Sequence, residues 1–169
     1  RRVSLSNLEG NMNNTVISGD ELSGKSSLVQ YLCARRNRDG FEGGRVIALM
    51  IDYRLLEAGH DIDENVYKKL ISIGLTRNQA SYVLSIGKVE LYFDNFDPNA
   101  SAALANFHGF LAKHSQVRWT VATRGDQRYM PSRAPASFPK EGLTYYQLSE
   151  TSLPTVLKMI AGHPSGKSI

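Results

Sequence analysis

Eight consecutive residues constrain this chain more than any other feature: Gly19-Asp20-Glu21-Leu22-Ser23-Gly24-Lys25-Ser26. They match G-x-x-x-x-G-K-[ST], and they lie between a short apolar run, Thr15-Val16-Ile17-Ser18, and a stretch of helical period from Lys25 to Arg36. That strand–loop–helix setting is the one in which such a loop cradles phosphate. The glycines let the backbone curl so that successive N–H groups point inward, and the helix N-terminus adds partial positive charge at the same place. The expectation is a nucleotide site. Residues Gly19, Asp20, Glu21, Leu22, Ser23, Gly24 and Ser27 would line it, with Lys25 on the β- and γ-phosphates and the Ser26 hydroxyl on Mg²⁺. A second Gly-Lys-Ser at 166–168 follows Gly162 with one residue too few between the glycines, and it has no room for a following helix.

The rest of the chain alternates short apolar runs with longer segments of helical period, which is the pattern of βαβ units and a mostly parallel sheet. Residues 46–51 form a continuous apolar run without alternation, as suits a strand covered on both faces. Ile62, Val66, Leu70 and Ile73 repeat at helical spacing, and Thr76 is placed to cap a short helix through Ala80, Val83 and Leu84. Further strands are expected at 88–93, 117–122 and 143–148, with an amphipathic helix through Leu104, Phe107, His108 and Leu111. Pro131, Pro135 and Pro139 make 128–140 a loop, and 153–160 begins a last helix. The fold class is α/β, a three-layer αβα sandwich of the P-loop NTPase kind around about five mostly parallel strands. Residues 1–150 would be the nucleotide-binding domain and 151–169 the start of a following helical subdomain. An amino terminus of Arg1-Arg2 rather than Met suggests a piece of a longer polypeptide.

A phosphate cradle needs a carboxylate on the metal side, and Val89-Glu90-Leu91-Tyr92-Phe93-Asp94 is an apolar strand running into one. Strand C-termini converge on the ligand edge of a parallel sheet, so Asp94 is the candidate Mg²⁺ carboxylate, with helix-cap or turn duty before Pro98 as the other reading. Asp97 could orient an attacking water, or serve only as a turn former. The run 118–122 leads into Thr123-Arg124, where a guanidinium could contact the γ-phosphate and tell triphosphate from diphosphate, or pair with a surface carboxylate. Thr123-Arg124-Gly125-Asp126 loosely matches the guanine-reading motif of GTPases. The third strand lacks D-x-x-G, so adenine is favoured and the cofactors read are ATP or ADP with Mg²⁺.

Composition narrows the alternatives. The net charge of +4 is dispersed: seven basic against five acidic residues over 1–45, five against eight over 46–100, and eight against three over 101–169. That is no phosphate-tracking stripe, and it argues against a nucleic-acid partner. The cluster Arg35, Arg36 and Arg38 reads as the end of a helix stopped near Asp39-Gly40, where cations complement the dipole. Cys33, the single cysteine, cannot form an internal disulfide and reads as a small buried hydrophobe, so a reducing, cytoplasmic setting is expected. No apolar run approaches the length of a membrane span, and four histidines without H-x-x-x-H spacing give zinc no support.

Taken together, Gly19 to Ser26, the strand ending Asp94-Asn95-Phe96-Asp97, and Thr123-Arg124 resemble the STAND class of P-loop NTPases, which includes NACHT and NB-ARC domains. The resemblance spans roughly residues 8–164. In that class the acidic strand reads hydrophobic-D-G-h-D-E, so it implies Asp94 as the metal carboxylate and Asp97 as the second acid, with Asn95 replacing the glycine and Pro98 the final glutamate. Arg124 corresponds to the sensor arginine, and Ala161-Gly162-His163-Pro164 is similar to the G-x-P motif, with Pro164 closing on the nucleotide. The class implies a slow ATPase acting as a switch in signalling or defence, with other domains of the same polypeptide as partners and nucleotide-dependent homo-oligomerisation. A P-loop kinase or other phosphotransferase, with Arg124, Arg128 and Arg133 as lid arginines, and a nucleic-acid-stimulated ATPase are the other readings. Against the kinase stands the acid pair on a strand taken to neighbour the P-loop strand.

Overall fold

The computed structural model describes residues 8–9, 13–19, 23–43, 46–97, 100–123 and 143–148. In chain order the elements are β1 (Asn14–Gly19), α1 (Lys25–Gly43), β2 (Ile47–Asp52), α2 (Arg54–Glu57), α3 (Ile62–Ser72), α4 (Arg77–Ser85), β3 (Val89–Phe96), α5 (Ser101–Lys113), β4 (Arg118–Thr123) and β5 (Leu143–Leu148). The five strands form one sheet in the order β2-β3-β4-β1-β5. Every pairing is parallel, so all strand C-termini meet on one edge.

Alternation along the strands assigns their two faces. Ile17, Ala48, Tyr92 and Ala122 pack with Val29, Leu32 and Cys33 of α1 on one side. Val16, Ile51, Phe93 and Val121 pack with α3, α4 and α5 on the other, which completes the three-layer αβα sandwich. On that second face Phe107 stands edge-on to Phe93 at 5.1 Å and to Trp119 at 5.5 Å, and Tyr53 lies 4.6 Å from Phe96. Such aromatic pairs add about 0.5–1.5 kcal/mol each beyond the area they bury. Tyr53, Phe93 and Phe96 of this cluster lie at the ends of β2 and β3, where the strand C-termini meet.

Local sequence explains the short helices. The Asp61 carboxylate accepts the Glu64 N–H at 2.9 Å to start α3, and Thr76 and Gln79 form a reciprocal capping box at the start of α4. Ile73 ends up 55% exposed, because it falls at the C-cap of α3 rather than on its inner face.

Two expectations need correction. Helix α1 runs on to Gly43, so Arg35, Arg36 and Arg38 lie within it and not at its end. Their roles are lateral: Arg36 Nε donates to Glu90 at 2.8 Å, and Arg35 pairs with Asp39 one turn on at 3.1 Å. The next residue, Asn37, donates its amide to the Ala48 carbonyl and accepts the Ala48 N–H, both at 2.8 Å, which ties the helix to β2 just ahead of Asp39-Gly40, where a stop was expected. Strand β3 likewise continues through Asp94 to Phe96, and β4 separates it from β1. The acidic strand therefore does not neighbour the P-loop strand.

Candidate functional site

The root of the loop is set by Gly19. A Cβ there would stand 2.8 Å from Ser23 Oγ and 2.9 Å from the Leu148 carbonyl oxygen, so the turn off β1 and the end of β5 approach as only glycine allows. At the far end, Gly24 has φ +88°, a left-handed conformation that a side chain would strain. The Gly24 carbonyl then accepts the Leu28 N–H at 2.9 Å and α1 is under way. Lys25, only 8% exposed, donates from Nζ to the Gly19 carbonyl at 2.7 Å and to Ser23 Oγ at 3.4 Å. Its ammonium thus spans the concavity from the first turn of the helix back to the strand end. Asp20, Glu21 and Leu22, the middle of the loop, lie outside the described residues, and Ser27 is exposed on the first turn.

Ser26 points the other way. Its Oγ donates to Asp94 Oδ1 at 2.9 Å across the intervening β4, because α1 leans over the sheet toward β3 and β2. Thr123, buried at the end of β4 between these strands, donates Oγ1 to the Ile17 carbonyl at 3.4 Å. A hydroxyl and a carboxylate in contact beside the Lys25 ammonium are two hard oxygen donors, the set that Mg²⁺ takes alongside phosphate oxygens and water. The residues present fit that ion.

The end of β3 is built around a bulge. Phe93 pairs with Val121 and Phe96 with Thr123, which leaves Asp94 and Asn95 together opposite Ala122. Asn95 has φ +59°, the left-handed region that asparagine tolerates better than other residues with a side chain. The position where the resemblance wants glycine therefore keeps the backbone conformation of a glycine. The Asn95 N–H donates to Asp94 Oδ1 at 2.9 Å, and its Nδ2 donates to Asp52 Oδ1 at 3.2 Å.

Asp97 lies just beyond the strand, half-buried, and its carbonyl accepts the Ala100 N–H at 3.3 Å. Its charge is felt at Tyr53, a wholly buried residue whose hydroxyl has no hydrogen-bond partner among the described residues. Burial, together with the negative Glu57 and Asp97, pushes that hydroxyl well above the usual tyrosine range. Arg124 and Pro164 lie outside the described residues.

Sequence reasoning passed over Asp52 and Arg54, and it read Asn95 only as the replacement of a glycine. Asp52 follows the apolar run of β2 just as Asp94 follows that of β3, and the strands pair in register with Asp52 opposite Asp94. That parallel was the signal. Arg54 donates Nε to Asp52 Oδ1 at 3.0 Å and Nη2 to Oδ2 at 2.5 Å, and this contact chiefly holds the Asp52 carboxyl below its ordinary range.

The fold is shared with solved structures. Budding-yeast RIF2, from Saccharomyces cerevisiae, superposes with a TM-score of 0.53 at 12% identity over 97% of this chain and 64% of its own. PCH-2 from Caenorhabditis elegans gives 0.46 at 11% identity over 94% and 41%. A Signal Transduction ATPase with Numerous Domains from Pyrococcus horikoshii, carrying a tetratricopeptide repeat sensor, gives 0.41 at 16% identity over 98% and 25%. The chain thus spans between a quarter and two thirds of these proteins. No protein-family profile matches the sequence, and no curated protein matches it. Fold and loop together define the class: a P-loop NTPase-type three-layer domain. Among the described residues no helix is long and apolar enough to cross a membrane.

Proposed function

We propose that this chain is the ATP-binding, slowly hydrolysing switch domain of a larger STAND-type signalling or defence protein. The observation that carries the reading is the 2.9 Å contact between Ser26 and Asp94, loop hydroxyl to strand carboxylate across β4, beside a buried lysine that closes the loop. Bound Mg²⁺ would supply charge neutralisation at the phosphates, held by Ser26 and Asp94. Lys25 binds the β- and γ-phosphates in place of the Gly19 carbonyl. Asp97 orients the attacking water, and Arg124, next after Thr123, senses the γ-phosphate. Pro164 closes on the nucleotide from residues 151–169, the start of the helical subdomain. Turnover is slow because Pro98 stands where the resemblance has a glutamate, and a proline side chain can neither accept nor relay a proton. Switching follows from contacts that only the triphosphate makes, since a ligand of equal affinity for two conformations shifts neither. The attached domains and a homo-oligomer formed in the ATP state are the partners.

The purified domain is tested by the nucleotide it releases on denaturation and by thermal shift with MgATP. At ligand near 100 times Kd, binding adds about 2.7 kcal/mol, or roughly 5–10 °C for a domain of this size. Lys25→Ala should fold and show no shift. Equal shifts in variant and wild type refute the assignment.

A further inference from the structure

We propose that Asp52, on the edge strand β2, is a positioning residue for the Mg²⁺ carboxylate Asp94, acting through the side chain of Asn95. The inference rests on the functional reading above and extends it to a strand outside the motifs.

Asp94 must present one oxygen to a metal at the Ser26 hydroxyl while it stands on a bulge, where the ladder that would hold it is interrupted. Its orientation therefore depends on what surrounds it. The Asn95 N–H fixes Oδ1 at 2.9 Å, the same oxygen that accepts from Ser26. The Asp94 carbonyl accepts the Tyr53 N–H at 2.9 Å, which stitches the backbone to the turn after β2. Asn95 divides its two kinds of N–H between two carboxylates, the backbone group to Asp94 and the amide to Asp52 at 3.2 Å. Asp52 is itself fixed, by the Arg54 N–H at 3.1 Å and by the fork of its guanidinium. A chain of contacts thus runs from Arg54 through Asp52 and Asn95 to Asp94 and Ser26.

The residue type at position 95 points the same way. If only the φ of +59° mattered, glycine would adopt it without strain. Asparagine carries that conformation at some cost and contributes an amide, and the amide is in use. Asp52 also keeps Arg54 engaged. That guanidinium lies within electrostatic reach of Asp94, where it would compete with a metal for the carboxylate.

The experiment is a double-mutant cycle read as the Mg²⁺ enhancement of nucleotide binding. ADP is titrated calorimetrically in Mg²⁺ and in chelator, into wild type, Asn95→Gly, Asp52→Ala and the double variant. Asn95→Gly keeps the backbone conformation and removes only the amide. In the wild-type background it should lower the enhancement about three- to tenfold, the scale of one hydrogen bond to a charged group softened by solvent. In the Asp52→Ala background it should lower it by less than about twofold, since the strut has already lost its footing. Affinity in chelator should hold within about twofold throughout, and nucleotide-free melting reports that each variant is folded. Equal losses from Asn95→Gly in both backgrounds, or no loss in either, overturn the inference and leave the functional reading standing. A wild type with no Mg²⁺-dependent binding overturns both.

Discussion

Replacing Glu90 separates what holds this domain together from what it binds. Glu90 is 4% exposed near the start of β3, on the α1 face. Its Oε2 accepts from Arg36 Nε at 2.8 Å and from the Tyr92 hydroxyl at 3.1 Å, and its Oε1 pairs with the Arg118 guanidinium at the start of β4. One carboxylate therefore ties helix α1 to two central strands. Glu90→Gln keeps the volume, removes the charge, and turns an NH₂ group toward an arginine. Breaking a fully buried pair costs about 3–5 kcal/mol, because the partner charge stays behind unsatisfied. Here the arginine side chains keep 22% and 24% of their exposure, so water recovers part of that, and about 2–3 kcal/mol is expected. At roughly 2–4 °C per kcal/mol, melting should fall by about 4–12 °C. The proposed nucleotide site should not notice. Asp94 lies four residues further on, about 13 Å away at 3.3 Å per residue, so MgADP affinity should stay within about threefold. Thermal melting and calorimetric titration at matched ionic strength read both. A fall of less than about 1 °C would refute the reasoning about the cluster. So would a loss of affinity that tracks the loss of stability.

Arg124→Ala should weaken a non-hydrolysable ATP analogue about ten- to a hundredfold and leave ADP within about threefold, as a charge-assisted contact to the γ-phosphate alone requires. Parallel losses for both ligands, titrated calorimetrically, would remove its sensor role. Asp63 joins α3 to the end of α5 through Lys113 and, at 2.8 Å, His114 Nε2; burial opposes its ionisation, but these partners hold its carboxyl below the ordinary range. A folded value below the unfolded one gives stability that is present above the unfolded value and lost as pH falls through the folded one. Asp63→Asn should therefore melt roughly 2–4 °C below wild type at neutral pH, for about 1 kcal/mol, with the gap closing in strong acid. A gap independent of pH would show that charge plays no part.

Most of the architecture was legible because β1 to β4 announce themselves as short, largely apolar runs set off by helical segments, and the parallel sheet buries much of each. Thr76 as a helix cap was equally plain, since the capping box is a local device. The order of the strands was not legible. Nothing in Val117 to Thr123 says that β4 inserts between β1 and β3, because strand order is decided by crossover packing and not by the strand's own pattern. The extension of α1 past Gly40 is of the same kind: Asn37 and Arg36 find partners on β2 and β3 that local propensity cannot anticipate. At the site, the loop and Asp94 carry motifs. Asp52 and Asn95 act through a register and a bulge, which no spacing rule encodes.

Among the described residues strand β2 lies at the rim of the sheet, and a rim strand with open donors and acceptors is a template on which a foreign strand can grow. At its second residue, Ala48, both outward groups are engaged by the single side chain of Asn37, so an incoming strand would have to displace two hydrogen bonds to begin pairing there. The amide completes the ladder as one residue of a sixth strand would, without offering a further edge in its turn. The contact that fastens α1 to the sheet is thereby also a guard against assembly through this rim, the side of the domain on which the strut to Asp94 begins.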